Sequence, residues 1–208
     1  MKEIVLNHPL ITHKLALLRD KNTGTKEFRE IITEIAILLC YEATKDAKLE
    51  KVTIETPLEK YDTFKLNEDN YAFVPILRAG MSMVDGIITV IPNAKIGHIG
   101  LYRNEETLEP VEYYYKMPVN INKRTVMILD PMLATGGSAI ATIRKLKKDG
   151  VKNIKFLCII ASPAGIKAVQ KEFPDVELYC ASVDRQLNEV GYILPGLGDA
   201  GDRVYGTK

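Results

Sequence analysis

TVMILDPMLATGGSA, residues 125–139, is the stretch on which the reading of this chain turns. It opens as an apolar run with no polar alternation, the pattern of a strand buried on both faces of a parallel sheet. Asp130 stands at the end of that run. Ala134-Thr135-Gly136-Gly137-Ser138 then turns into a helical segment, ATIRKLKKDG (141–150), which Gly150 terminates. Glycines let a backbone come close to a ligand and reach positive φ, so that successive amides can face one anion. The helix start adds partial positive charge, and the Thr135 and Ser138 hydroxyls add donors. The segment therefore reads as a cradle for a phosphate monoester. A plain strand-to-helix turn capped by serine would account for TGGS alone, but not for strand, acid, loop and helix together. The cradle is not the ATP-type loop, which needs a lysine after its glycines, nor is it GxGxxG.

On either side the same rhythm repeats. YAFVPIL (71–77) ends in Arg78-Ala79-Gly80 and precedes the helix-like MSMVDGIITVIP (81–92). KIGHIGLYR (95–103) is a further strand candidate. NIKFLCIIAS (153–162), AGIKAVQKEFP (164–174) and VELYCASV (176–183) continue strand, helix, strand. Apolar strands alternating with helices predict an α/β fold, a parallel twisted sheet flanked by helices. Ligands of such sheets sit at the carboxyl ends of the strands, so the loops after Leu77, Tyr102, Asp130, Ser162 and Val183 are the places to look. Phe28, Ile31, Ile32, Ile35, Ala36 and Leu39 recur at helical spacing and predict a helix over 25–45. An earlier helix is expected around 8–19, and residues 1–50 together read as an N-terminal helical arm. At 208 residues the chain is expected to be one domain. Two segments break the rhythm. Residues 103–120 are acidic, then tyrosine-rich, and read as a hairpin flap with VEYYYKMP as an antiparallel edge strand. Residues 184–208, rich in glycine yet carrying Tyr192, Ile193, Leu194, Leu197, Val204 and Tyr205, read as an ordered loop near a ligand.

Composition narrows the function. Apolar residues make up 46% and charged residues 26%, enough for a sizeable core, which excludes disorder as the main state. Lys and Arg number 28 against 27 Asp and Glu, a balance that argues against a protein coating nucleic acid and leaves small anions open. Cys40, Cys158 and Cys180 form no CxxC pair and read as buried thiols of a reducing compartment. His8, His13 and His98 lack metal-ligand spacing. MKEIVLNHPL has no signal-peptide core, and no apolar run approaches the ~18 residues of a membrane span. A cytoplasmic protein without a membrane partner is expected by elimination.

The segment around Asp130 resembles the phosphoribosyl-pyrophosphate (PRPP) motif of type I phosphoribosyltransferases. That motif usually carries two adjacent acids, and here Pro131 takes the second place. DPMLATGGS (130–138), with PILRAGM (75–81) and GYILPGLGDAGDRVYGT (191–207), is similar to the uracil phosphoribosyltransferase family over essentially the whole chain. The resemblance implies an enzyme of pyrimidine salvage that joins uracil to PRPP, giving UMP and pyrophosphate. It places PRPP on Asp130, Pro131, Met132, Leu133, Ala134, Thr135, Gly136, Gly137 and Ser138. Arg78 and Arg103 fall at the pyrophosphate end, where arginine's planar fork suits bidentate phosphate contacts. Uracil falls on Tyr192, Ile193, Gly198, Asp199 and Ala200, making 184–208 a base-binding hood, with Asp199 also facing PRPP. Catalytic roles fall on Asp199 and Arg103. Mg²⁺ is implied by the pyrophosphate, held mainly by it and by water rather than by protein ligands. A homodimer or higher assembly is implied, and activation by GTP, as in some relatives, is left open.

Chemistry meets this from the other side. Transfer from C1 of the sugar passes through an oxocarbenium-like state, so the protein must hold a phosphate, two hydroxyls and a departing polyanion. Backbone N–H and C=O groups can read the edge of uracil. Cytosine would meet a donor with a donor, at ~1–3 kcal/mol for each buried group left unpaired. For Asp199 three roles stay open: acceptor of the N1 proton, organiser of an Mg²⁺-bound water, or cap of the glycine-rich turn. Two other functions fit the sequence less well. An RNA-binding regulator on the same fold lacks a basic, aromatic surface stretch. The other is a phosphoribosyltransferase for purines or orotate; orotate would need a further cation for its carboxylate, and the C-terminal loop offers only Arg203.

Overall fold

The apolar runs become the centre of one mainly parallel sheet. The computed structural model describes residues 2–103 and 110–207, and no side chain is described for Arg103. In chain order the first elements are β1 (Glu3–Val5), α1 (Pro9–Arg19), α2 (Thr25–Ala43) and the hairpin β2 (Leu49–Glu55) with β3 (Lys60–Leu66). Then come β4 (Tyr71–Leu77), α3 (Met81–Val90), β5 (Lys95–Ile96), β6 (His98–Arg103) and β7 (Pro110–Lys116). β8 (Thr125–Leu129), β9 (Met132–Leu133), α4 (Gly137–Lys148), β10 (Asn153–Ala161), α5 (Pro163–Glu172) and β11 (Glu177–Val183) complete the sheet and its helices. β12 (Gln186–Leu187), β13 (Ile193–Leu194) and α6 (Ala200–Tyr205) form the C-terminal segment.

The main strand order is β1-β11-β10-β8-β4-β6-β7, parallel except for β7, which runs antiparallel to β6. Residues of β4, β8 and β10 are buried on both faces because helices cover both. One core joins α1, α2, α3 and α6 through Leu18, Phe28, Ile32, Ile35, Met83, Ile87 and Val204. The other joins α4 and α5 through Ile143, Leu146, Ile166 and Val169, together with Phe156 from β10. From β4 the chain crosses by α3 toward β6. From β8 it crosses by α4, on the opposite face, toward β10. The strand order therefore reverses between β4 and β8, and a crevice opens at their carboxyl ends.

Several expectations need correction. Residues 1–50 are not a purely helical arm. Glu3–Val5 is a parallel edge strand beside Leu178–Cys180, and α2 buries Phe28, Ile31, Ile32, Ile35, Ala36 and Leu39 as part of the layer on the sheet. KIGHIGLYR is not continuous: β5 pairs with Ala72–Phe73 and β6 with Ile76–Leu77, with Gly97 between them. The β2–β3 hairpin is an element the sequence reading does not contain. The edge strand VEYYYKMP is found as β7, but residues 104–109 of the expected flap lie outside the described residues.

Candidate active site at the strand switch point

The cradle is built on a helix start with no side-chain cap. α5 is capped by the Ser162 hydroxyl, which accepts from Gly165 N–H, and α1 by His8 Nδ1, which accepts from Leu10 N–H. α4 instead has Gly136 at its N-cap, in the left-handed region at φ 87°, where a residue with a Cβ is disfavoured. The first amides of a helix have no intrahelical acceptor, so those of α4 face outward with the positive end of its dipole. Thr135 and Ser138 flank them at the surface, while Gly136 is buried.

Behind the loop, other contacts fix its direction. Ala134 O accepts from Ser162 Oγ at 2.5 Å, and Leu133 O accepts from Ser162 N–H at 2.9 Å. Met132 and Leu133 pair with Ile160 and Ala161. α5 presses against this backbone so closely that a Cβ on Gly165 would lie 2.4 Å from Ala134 O. With its carbonyls turned toward α5, the loop has its other side available to an anion.

Asp130 follows β8, and Pro131 is buried beside it. Burial pushes the Asp130 carboxyl up from its ordinary 3.8 to about 7, against the opposing pull of Met132 N–H, which donates to Oδ1 at 3.3 Å. Across the switch point the Arg78 turn touches β8: a Cβ on Gly80 would lie 2.2 Å from Leu129 O. Arg78 is exposed, with its guanidinium 3.8 Å from Asp202 Oδ1 and 5.8 Å from the Tyr205 ring centroid. Tyr205 Oη donates to Arg78 O at 2.9 Å, fastening α6 to this turn. Arg103 ends β6 at the same edge of the sheet, and its side chain lies outside the described residues.

The C-terminal segment folds over this edge. Met132 and Ala134 of the cradle, with Tyr192, Ile193, Gly198 and Asp199, line one cavity of ≈ 280 Å³. Leu133 is buried behind it and Ala200 begins α6. The backbone of Tyr192 is already engaged, its N–H with Asn188 Oδ1 and its C=O with Asn188 N–H, so only its half-exposed side chain faces the cavity region. Asp199 is the N-cap of α6, with Oδ1 accepting from Asp202 N–H at 2.9 Å. The capping role left open by the sequence is therefore real, and the bond engages Oδ1. Arg203 is anchored beside this region, lining a second cavity of ≈ 470 Å³ with Tyr192, Gly198 and Asp199. It donates to Leu18 O, Asp20 O and Leu197 O and lies 4.2 Å from the Phe28 ring centroid.

A larger polar cleft of ≈ 500 Å³, lined by Asp46, Lys48, Lys123 and Lys155 among others, lies at the amino ends of the strands, away from this edge. Lys155 in its wall is already bonded to Ala43 O and Asp46. Among the described residues no group of three or more His, Cys, Asp or Glu could hold a metal ion. The three cysteines are free and buried, and no described helix is long and apolar enough to cross a membrane. Sequence reasoning missed Asp184, which follows the apolar strand β11 just as Asp130 follows β8, and it missed Arg19, which binds Asp184.

Comparison with known proteins identifies the family. The family model described as uracil phosphoribosyltransferase matches residues 5–207. A uracil phosphoribosyltransferase of Lysinibacillus sphaericus is 58% identical over 207 residues, covering 100% of this chain and 99% of the relative. That of Geobacillus kaustophilus is likewise 58% identical over 207 residues. The solved structure of the AQ2163 protein from Aquifex aeolicus superposes with a TM-score of 0.95 at 43% identity, covering 99% of both chains. A hypoxanthine-guanine phosphoribosyltransferase of Bacillus anthracis, 15% identical with a TM-score of 0.51 over 77% of this chain and 80% of that one, shares the fold alone.

Proposed function

The chain belongs to the uracil phosphoribosyltransferase family and transfers the 5-phosphoribosyl group of PRPP to uracil, giving UMP and pyrophosphate in salvage; we propose the following division of that reaction among its residues. The 5′-phosphate binds the uncapped start of α4, on the amides of Thr135, Gly136, Gly137 and Ser138 and on the two hydroxyls. Asp130 accepts from the sugar hydroxyls. A carboxyl whose pKa stands at about 7 is made a better acceptor by such donors, because hydrogen bonds to the charged form pull the pKa down. Arg78 and Arg103 take the pyrophosphate end. Tyr192, Ile193, Gly198, Asp199 and Ala200 surround the base, and Asp199 handles the proton lost from N1 while its Oδ1 caps α6. The observation that carries this division is a cavity shared by Met132 and Ala134 of the cradle with Ile193, Gly198 and Asp199 of the hood.

Mg²⁺, when bound, supplies charge neutralisation to the departing pyrophosphate. Asp130 and Asp199 are single acids rather than a cluster, which suits an ion that keeps most of its water and takes few protein ligands. Self-association as a homodimer or larger assembly belongs to the same proposal. It is supported by the β2–β3 hairpin, where Leu49, Leu58, Tyr61 and Phe64 are exposed at 53–95%. The test offers uracil, cytosine, hypoxanthine and orotate in parallel with PRPP and Mg²⁺. UMP as the sole nucleotide product is expected, and product from orotate or hypoxanthine would overturn the assignment of the base site.

A further inference from the structure

We propose that the Arg19–Asp184 pair is a positioning device for base recognition, holding the turn Pro195–Gly198 so that the hood presents a fixed edge to uracil. The inference rests on the reading of the hood as the base site. Arg19 is the last residue of α1, and its fork grips Asp184 bidentately, Nη1 to Oδ2 at 2.7 Å and Nη2 to Oδ1 at 2.6 Å. The same guanidinium donates to Gly196 O at 2.8 Å and to Ser182 Oγ at 3.2 Å. Asp184 in turn accepts from Gly196 N–H at 2.9 Å and from Ser182 Oγ at 2.8 Å. Both backbone groups of Gly196 are thus held by one ion pair. Glycine is required there: φ is 63°, and a Cβ would lie 2.1 Å from Ile193 O.

The neighbouring carbonyl is held from the same direction. Arg203 Nη1 bridges Leu197 O, at 3.0 Å, and Leu18 O, at 2.7 Å. Successive carbonyls, Gly196 and Leu197, are therefore committed to Arg19 at the end of α1 and to Arg203 of α6, next to the cavity that Ile193, Gly198 and Asp199 line. An edge read by backbone groups is only as selective as its backbone is fixed, since a small misplacement lets a wrong donor find another partner. The Asp184 side chain is 2% exposed, and it stays ionised in that setting. Burial opposes the charge, but the Arg19 fork, the Ser182 hydroxyl and the Gly196 amide together hold its carboxyl below the ordinary range.

Stability alone does not call for this arrangement. A buried ion pair replaced by apolar residues of similar volume is often neutral for folding, whereas removal of one partner strands the other. That difference supplies the test. The double variant Arg19→Met with Asp184→Leu removes both charges, and Arg19→Lys keeps a charge but loses the fork. Steady-state rates are measured with uracil, cytosine and PRPP varied independently. For the double variant, KM for uracil should rise roughly 10–100-fold while KM for PRPP stays within about threefold, and the preference for uracil over cytosine should fall. Arg19→Lys should move the same parameters by less. An unchanged uracil KM and selectivity in a folded variant would overturn the proposal. So would KM values for both substrates rising together in step with a falling Tm, the signature of a merely structural pair. Should the double variant fail to fold, Arg19→Lys decides by the same criteria. Hydrogen exchange of the wild-type enzyme keeps the premise separate: UMP should protect amides within 193–200. Absence of that protection would remove the hood as base site and the proposal with it, whereas protection with an unchanged uracil KM would defeat the positioning role alone.

Discussion

Asp130→Asn is the perturbation with the most quantitative expectation. The native carboxyl holds its proton to about pH 7, whereas in the unfolded chain it ionises near 3.8. Between those values the native state binds more protons than the unfolded state, so stability falls as pH rises through that window and levels off above it. Asparagine does not titrate and does not share the fall. At about 1.4 kcal/mol per pKa unit, the wild type should lose on the order of 2–3 kcal/mol relative to Asp130→Asn between about pH 5 and pH 8. For a chain of this size, that is roughly 5–10 °C in the difference between the two Tm values. Calorimetric unfolding of both ligand-free proteins at the two pH values reads it directly. PRPP supplies the second arm. Sugar hydroxyls donating to the carboxylate favour its charged form, so binding near pH 6.5 should release protons, and the wild-type binding enthalpy should vary with the buffer's ionisation enthalpy. The variant should show no such variation and should bind PRPP at least about tenfold more weakly, the loss expected for hydrogen bonds to a charged group. Parallel stability–pH curves would refute the burial argument. Buffer-independent enthalpy with unchanged PRPP affinity would refute the sugar-hydroxyl role.

Asp199→Asn removes charge but keeps a good N-cap, so Tm should barely change while kcat falls by roughly 10²–10⁴. Recovery of that rate at high Mg²⁺ would favour the organising of a metal-bound water over proton acceptance, and normal turnover with lowered Tm would leave Asp199 as a cap only. Gly165→Ala should raise KM for PRPP about tenfold although Gly165 touches no substrate, because its Cβ must displace the Ala134 carbonyl that lies 2.4 Å away. Loss of Tm with unchanged KM for PRPP would show that the cradle tolerates the push.

What was legible in the sequence is what local chemistry dictates. YAFVPIL became β4 at its read limits because an apolar run with no alternation has no other comfortable place than between two helical layers. The acid, glycines and hydroxyls of 130–138 lie together because they are contiguous, on one loop between a strand and a helix. Contacts between distant segments were not legible. Glu3–Val5 is too short to signal a strand, and its partner is at the far end of the chain. The hairpin Leu49–Leu66 alternates along Lys51-Val52-Thr53-Ile54-Glu55 with a period of two, but no residue in it is fully buried, so its hydrophobic signal is faint. Asp199 shows a limit of another kind: an acid that caps a helix and an acid that serves a reaction occupy the same kind of turn, and only the bond to Asp202 N–H revealed the cap. Asp184 carried the same mark as Asp130, an acid directly after an apolar strand, yet nothing local announced that Arg19 would meet it.

The pairing of β1 with β11 bears on the order in which the enzyme can come into being. On the ribosome, Glu3–Val5 emerges long before Leu178–Cys180 has been made, and α2 emerges with Phe28, Ile32 and Ile35 lacking the strands they will cover. Arg19 waits through 165 residues of synthesis for Asp184. The nascent chain therefore carries a greasy helix and an unpaired strand edge through most of translation, the condition in which aggregation and chaperone capture compete with folding. Closing so long a loop adds only slowly to the entropic cost, but it makes the closure late. The loop of residues 130–138 can assemble from sequence-neighbouring pieces, while the C-terminal segment cannot lock until the first and last parts of the chain have met. The contact between Arg19 and the C-terminal segment is thus made at the end of biogenesis, after the strand, loop and helix of residues 125–148 are already in place.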